Sequence, residues 1–200
     1  MGRVSKLSAR FSTVLIVPSN IADKFPDAEV IGTDLSPMPA GMQPDNFRFE
    51  IDDACSPWVY PEDHFDFIHI RGLLGSVADW PELYGQALTH LAPGGYIEHV
   101  EYSVQIWSAD GPLPPESPFA SWADRAIHAG EQNGKSWEVA EQMAGWIREA
   151  GFVDVIEKRF KWPMGPWSSD DRLKDIGRWN LLNWEEGGKY RLCGCTTYAS

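Results

Sequence analysis

Short apolar runs rich in β-branched residues alternate with segments of helical periodicity, and that alternation constrains the fold more than any other feature of the chain. Val14 to Val17 is a β-branched run closed by Pro18. Glu29 to Thr33 reads as a strand ending at Asp34, while Phe47 to Ile51 and Phe65 to Ile70 alternate with the period of two that a strand requires. Ser19 to Phe25 can form two helical turns capped by Ser19. The strongest helix signal opens at Asp79, which pairs with Glu82 in a capping-box-like arrangement with Pro81 in the first turn. Trp80, Leu83, Tyr84, Ala87, Leu88 and Leu91 then repeat at helical spacing and mark one buried face. Pro93-Gly94-Gly95 stops that helix and turns into a strand from Tyr96 to Glu101. Strands separated by helices predict an α/β fold with a mostly parallel sheet and helices on both faces.

A proline-rich stretch from Gly111 to Pro118 separates this half from a second helical region. One helix is expected from Pro118 to about Asn133, burying Phe119, Trp122, Ala123, Ala126 and Ile127. Another is expected from Trp137 to Ala150, stopped by Gly151. Phe152 to Lys161 reads as a further strand. Ser169 can cap a last helix, with Asp170 and Asp171 in its positive first turn and Leu173, Ile176, Leu181 and Trp184 as its apolar stripe. From Glu185 onward the periodicity fails.

Composition narrows the partners. Lys and Arg total 17 against 29 Asp and Glu, a formal charge of −12. Such a chain repels phosphate backbones and anionic membranes, which argues against nucleic acid and lipid. Three cysteines, Cys55, Cys193 and Cys195, leave an odd thiol under any pairing and point to a reducing compartment. No apolar run reaches the roughly 18 residues that span a bilayer. Residues 1–19 carry only Arg3, Lys6 and Arg10 as charges and so mimic a transit peptide, but no small-residue cleavage site follows. A cytoplasmic or nuclear location is expected. No metal site is expected.

In open parallel sheets ligands bind beyond the carboxyl ends of the strands, at the point where strand order reverses. The residues that stand there are Val17, Asp34, Asp52 and Asp53, Arg71, and Glu101 with Tyr102. Asp34 could accept hydrogen bonds from the two hydroxyls of a ribose, or cap the turn that Asp34-Leu35-Ser36-Pro37 favours. Asp52-Asp53-Ala54 could place a carboxylate against an exocyclic amine, with Ala54 making room for a ring, or form a solvated acidic turn. Arg71 could pair with an anionic group of a ligand, or with Asp52 or Asp53. His69 alternates with Phe65 and Phe67 and reads as packed and hydrogen-bonded rather than as a base. Glu98 and His99 lie inside a strand, which favours packing or edge roles.

Four segments in this order, Ala28 to Pro37, Phe47 to Ala54, Phe65 to Arg71 and Leu91 to Glu98, resemble the class I S-adenosylmethionine-dependent methyltransferases, and within them the fungal LaeA-like branch of TAM-domain methyltransferases. Gly177 to Trp184 is similar to that branch as well, and the resemblance covers about residues 21 to 187. It implies a Rossmann-like three-layer sandwich. It also implies a cofactor, S-adenosylmethionine, bound by Asp34, Leu35, Asp52, Asp53, Ala54 and Arg71, with Asp34 on its ribose, Asp53 and Ala54 on the adenine side, and Arg71 at the cofactor-facing end of the fourth strand. The implied activity is methyl transfer to a small-molecule or protein acceptor. Acceptor-lining segments are expected at Val104 to Ala120 and Trp162 to Trp167.

Two departures qualify that expectation. The family's first strand leads into a glycine-rich turn, where the absence of Cβ lets the backbone approach the ligand. Here Val14 to Ile21 has no glycine and no acid, and a proline removes a donor. The family also ends in an antiparallel strand, which Glu185 to Ser200 does not suggest. The sandwich is therefore expected to be incomplete at both ends, with residues 1–19 and 189–200 atypical around a methyltransferase-like domain at 20–188. The abrupt breaks at Arg3-Val4 and Gly188-Lys189 suggest unrelated sequence, such as translated intron, joined to an intact middle. Two readings follow: a methyltransferase with impaired or lost activity, and a non-catalytic module acting through protein contacts. A nicotinamide-dependent reductase is a third, weakened by the absence of any Tyr-x-x-x-Lys.

Overall fold

The computed structural model describes residues 10–14, 18–38, 44–108 and 110–194. Five strands, β1 (Arg10–Val14), β2 (Glu29–Asp34), β3 (Phe47–Ile51), β4 (Phe65–Arg71) and β5 (Leu91–Val100), form one sheet in the order β3-β2-β1-β4-β5. Every pairing between them is parallel. The chain runs outward from β1 to β3 on one side, then returns and runs outward through β4 and β5 on the other. Strand order thus reverses between β1 and β4.

Period-two alternation sends neighbouring β2 residues to opposite faces. Val30 packs with Phe47, Ala28 and Ala22, the last from helix α1 (Pro18–Lys24). Ile31 joins the larger core with Ile68, and Ile97 packs against it; these three occupy one row of the sheet through Ser12. That core also takes Trp80, Leu83, Tyr84 and Ala87 from α2 (Trp80–His90). A third helix of this unit, α3 (Trp122–Gln132), buries Ala123, Ala126 and Gly130. The fourth, α4 (Val139–Glu149), adds Val139 and Ile147 to the larger core. Helices therefore cover both faces, and the three-layer Rossmann-like sandwich expected from the sequence is present.

The α2 helix starts as its sequence dictates. Asp79 Oδ1 accepts the Glu82 N–H at 2.9 Å, and Pro81 sits where no donor is needed. Its end differs. The helix stops at His90, and Leu91 is already the first residue of β5 rather than the last of the helical stripe. Phe65 pairs with Leu91 but Phe67 pairs with Tyr96, so Ala92 to Gly95 bulges out of the ladder. The two glycines make that bulge possible. Gly94 has φ +83°, and a Cβ on Gly95 would stand 2.9 Å from the carbonyl oxygens of both Asp66 and Ala92.

Other boundaries also shift. The first strand covers Arg10–Val14 rather than Val14 to Val17, whose last three residues lie outside those described. Helix α3 begins at Trp122 instead of Pro118, leaving Phe119 outside it and 42% exposed. No strand forms over Phe152 to Lys161. Val153, Ile156 and Phe160 are exposed there, so their β-branched and aromatic character has no sheet to satisfy.

The chain divides into two compact units, Met1–Val155 and Ile156–Ser200. The second holds α5 (Asp171–Gly194), capped by Asp170 rather than Ser169: Asp170 Oδ1 accepts the Leu173 N–H at 2.9 Å. The helix runs through Gly187 and Gly188 to Gly194, where the sequence pattern predicts none. Within this unit Asn180 is buried and donates from Nδ2 to the Pro163 carbonyl at 3.0 Å, fastening the Trp162 to Trp167 loop to the helix.

Candidate functional site

Parallel register puts the carboxyl ends of all five strands on one edge of the sheet. Asp34 ends β2 opposite Ile51, the last residue of β3, and the Asp52 N–H donates to the Asp34 carbonyl at 3.1 Å. The two acidic segments thus stand side by side at that edge, as the sequence placed them.

Asp34 is half-buried, and its Oδ1 accepts the Ser36 N–H at 2.8 Å. The turn-capping role is therefore real, and the second carboxylate oxygen has no hydrogen bond among the described residues. Leu35 follows with 69% of its surface exposed, a large apolar side chain standing in solvent at that edge. Asp52 and Asp53 are exposed. Asp52 Oδ1 accepts the Asp53 N–H and Asp53 Oδ1 accepts the Cys55 N–H, 2.8 and 2.9 Å respectively, which shapes the acidic turn. Burial, and then the Asp53 charge, push the Cys55 thiol above its ordinary value. Ala54 is half-buried against the main core, and its carbonyl accepts from Trp58 Nε1 at 2.9 Å. That indole stacks on His90 with centroids 5.5 Å apart. The segment is thereby pinned to α2.

Arg71 ends β4 across the reversal point and is exposed. Among the described residues it forms no ion pair with Asp52 or Asp53, so the structural pairing weighed for it is not made. His69, two residues earlier, is packed and hydrogen-bonded as expected, with Nδ1 2.8 Å from Glu98 Oε2 and its side chain 12% exposed. Burial lowers its pKa below the ordinary value, and Glu98 opposes that shift.

Sequence reasoning missed a buried polar cluster at the same edge. The Tyr84 hydroxyl and His99 Nδ1 are 2.7 Å apart, Trp80 stacks on His99 at 4.9 Å, and His99 Nε2 stands 3.6 Å from Glu101 Oε1. Glu101 is fully buried at its side chain, and Oε1 accepts the N–H groups of Leu73 and Leu74 at 2.5 and 3.1 Å. Two adjacent strand positions, Ile70 and His99, share one row and so aim His99 at α2, whose Tyr84 has the matching stripe position. Combining the helical stripe with the strand alternation would have paired them.

Beyond β5 an open cavity of about 450 Å³ is lined by Gln105 to Ser108, Gly111 to Leu113, and Phe119, Ala120 and Ala123. It falls within the Val104 to Ala120 segment and extends into α3. No ionisable side chain is among its lining residues. No helix of the described residues is long and apolar enough to cross a membrane.

A parallel sheet of this order, with Asp34 ending its second strand and Asp52 following its third, defines the Rossmann-like α/β class. A family model described as a methyltransferase domain matches residues 16–157, and the chain belongs to that methyltransferase family. Among curated relatives, the methyltransferase pytC of Aspergillus terreus is 40% identical over 169 residues, covering 84% of this chain and 52% of its own. The secondary metabolism regulator LAE1 of Cochliobolus heterostrophus is 38% identical over 170 residues, covering 84% and 55%. These relatives fall in the fungal LaeA-like branch that the sequence resembles. The chain spans about half the length of the curated relatives it matches. Among solved structures, phosphoethanolamine N-methyltransferase 2 of Haemonchus contortus, in complex with phosphomonomethylethanolamine and S-adenosylhomocysteine, aligns with a TM-score of 0.57 at 18% identity, covering 99% of this chain and 43% of its own. That likeness is one of fold.

Proposed function

We propose that this chain carries the nucleoside-binding edge of an S-adenosylmethionine-dependent methyltransferase and serves methyl transfer to a small-molecule or protein acceptor. The observation that carries the reading is the placement of Asp34 and Asp52 side by side at the carboxyl ends of β2 and β3, next to the reversal of strand order. The donor set fits a nucleoside. The free carboxylate oxygen of Asp34 accepts from ribose hydroxyls, with Leu35 flanking the sugar. Asp52 and Asp53 accept from the adenine amine, and Ala54 leaves room for the ring. Arg71, exposed and without an ion pair among the described residues, supplies positive charge to the carboxylate of the amino-acid end.

When bound, S-adenosylmethionine supplies a methyl group already activated by its sulfonium. The residues of the chain accordingly have to orient the reactants and exclude water, and no acid or base of their own is required to activate the methyl donor. The uncharged cavity at residues 105–123 follows the carboxyl end of β5 and supports an apolar small-molecule acceptor over a charged peptide. A second reading, a non-catalytic module acting through protein contacts, is favoured by one observation: the sequence between β1 and α1 has no glycine.

Calorimetric titration with S-adenosylmethionine and S-adenosylhomocysteine decides between them. Micromolar binding that weakens at least tenfold in Asp34→Ala is expected. A folded chain that binds neither molecule refutes the first reading and leaves the second.

A further inference from the structure

The loop that follows Arg71 is tied down in an unusual way. Gly72 and Gly75 both have positive φ, +71° and +72°, and between them the consecutive N–H groups of Leu73 and Leu74 point at one acceptor. Paired N–H groups of this kind form an anion-binding concavity. Here the anion is the chain's own Glu101 carboxylate, whose side chain has no exposed surface. The Gly72 N–H also donates to the Val100 carbonyl at 3.3 Å, so the loop is stitched to the end of β5 at three successive residues. A carboxylate without exposed surface is costly to bury, and because Oε2 has no hydrogen-bond partner among the described residues, the donors that offset that cost meet Oε1.

We propose that Glu101 is a positioning residue: by holding Leu73 and Leu74, it fixes the path of the chain immediately after Arg71 and so the place of Arg71 at the ligand edge. This rests on the reading that Arg71 serves a cofactor there. Glu101 touches no ligand itself. Its effect reaches the site through two hydrogen bonds and the short segment Arg71-Gly72.

Three variants separate positioning from general stability. Glu101→Gln keeps a carbonyl oxygen that accepts both N–H groups but loses the charge, which makes such bonds roughly twice as strong. Glu101→Ala removes the acceptor, and Glu101→Asp, which retracts it by one methylene, takes its place should the alanine variant not fold. On folded protein, binding of S-adenosylhomocysteine is expected to weaken about threefold in Glu101→Gln and about tenfold or more in the alanine or aspartate variant. Exchange of the Leu73 and Leu74 amides, followed by NMR, is expected to accelerate in the same order. Wild-type affinity in the alanine or aspartate variant, or equal losses in Gln and Ala, overturns the proposal. If the wild-type chain binds no S-adenosylhomocysteine, the cofactor reading fails on its own; unchanged amide exchange in the variants then overturns the hold of Glu101 on the loop, and accelerated exchange upholds it.

Discussion

Replacing Tyr84 by Phe removes one oxygen atom from a polar contact in the core of the fold. The Tyr84 ring is fully buried on α2, and its hydroxyl meets His99 Nδ1 at 2.7 Å. His99 has 1% of its side chain exposed, so water cannot take over. Its other ring nitrogen, Nε2, has no hydrogen-bond partner among the described residues. Phenylalanine keeps the ring packed 5.9 Å from Trp80 and leaves a void too small for water, so packing changes little. What remains is the cost of stranding a buried polar nitrogen, about 1–3 kcal/mol. Because the imidazole would then lack partners on both sides, about 2 kcal/mol is expected, close to a thirtyfold fall in the folding constant. Urea unfolding at pH 7, followed by circular dichroism at constant m, measures it. The pH dependence gives an independent check. Burial, and then the Glu101 charge, raise the Tyr84 hydroxyl above its ordinary value of 10.0. A raised folded-state value means stability that is complete below about pH 10 and is lost as pH climbs above it. The phenylalanine variant has nothing to ionise at this position, so the gap between the two proteins should narrow between about pH 9 and 11. Some alkaline loss persists in the variant, because burial and Glu50 raise Tyr60 in the same direction. A cost below about 0.5 kcal/mol at pH 7, against the roughly 1–3 kcal/mol of a stranded buried group, or a gap unchanged at about pH 10.5, would refute the reasoning.

Gly130→Ala places a Cβ 2.2 Å from Trp137 Cδ1 and 2.5 Å from the Lys135 carbonyl, so ring or turn must move; a loss of about 3 kcal/mol or more is expected in thermal unfolding. Gly94→Ala is the contrast, with φ +83° and no atom within 4 Å, and should cost only the roughly 1–2 kcal/mol of a left-handed residue. If both variants lose equally, close packing on Trp137 is not what Gly130 serves. His69 has its pKa lowered mainly by burial, so the folded state resists protonation and stability should fall as pH drops below 6.5. Glu98→Gln removes the opposing influence and should lower the His69 pKa further, read from its ring resonances; a rise would contradict the assignment.

The fold was legible because its signals are local and redundant. Val30 and Ile31 are adjacent β-branched residues that pack into different cores, which is what a strand buried on both faces must look like. Asp79 and Glu82 announced the start of α2. Two of the misreadings share a cause: each depended on a partner far away in sequence. Leu91 carries the helical period, but pairing with Phe65 draws it into β5 and leaves Pro93 to bulge. Phe152 to Lys161 has strand composition, and composition alone cannot supply a neighbouring strand.

The site was legible in the same measure. Asp34 and Arg71 end strands and Asp52 follows one, and parallel register turns three strand ends into one edge, so their gathering follows from order alone. Glu101 was placed at that edge as well, but its hold on Leu73 and Leu74, and the pairing of Tyr84 with His99, could not be found that way, because those roles need the fold first: β5 must bring the residue that follows it to the loop after β4 before a carboxylate can meet Leu73 and Leu74. The same logic sharpens the meaning of the glycine-free sequence between β1 and α1. An acidic strand end can be recognised residue by residue, whereas a close backbone approach is a property of residues that are absent from Val14 to Ile21. The nucleoside half of a cofactor site and its glycine-lined half are therefore separable physical features. On the reading proposed for this chain the first stands without the second, and affinity for S-adenosylhomocysteine measures how much binding strand-end acids supply by themselves.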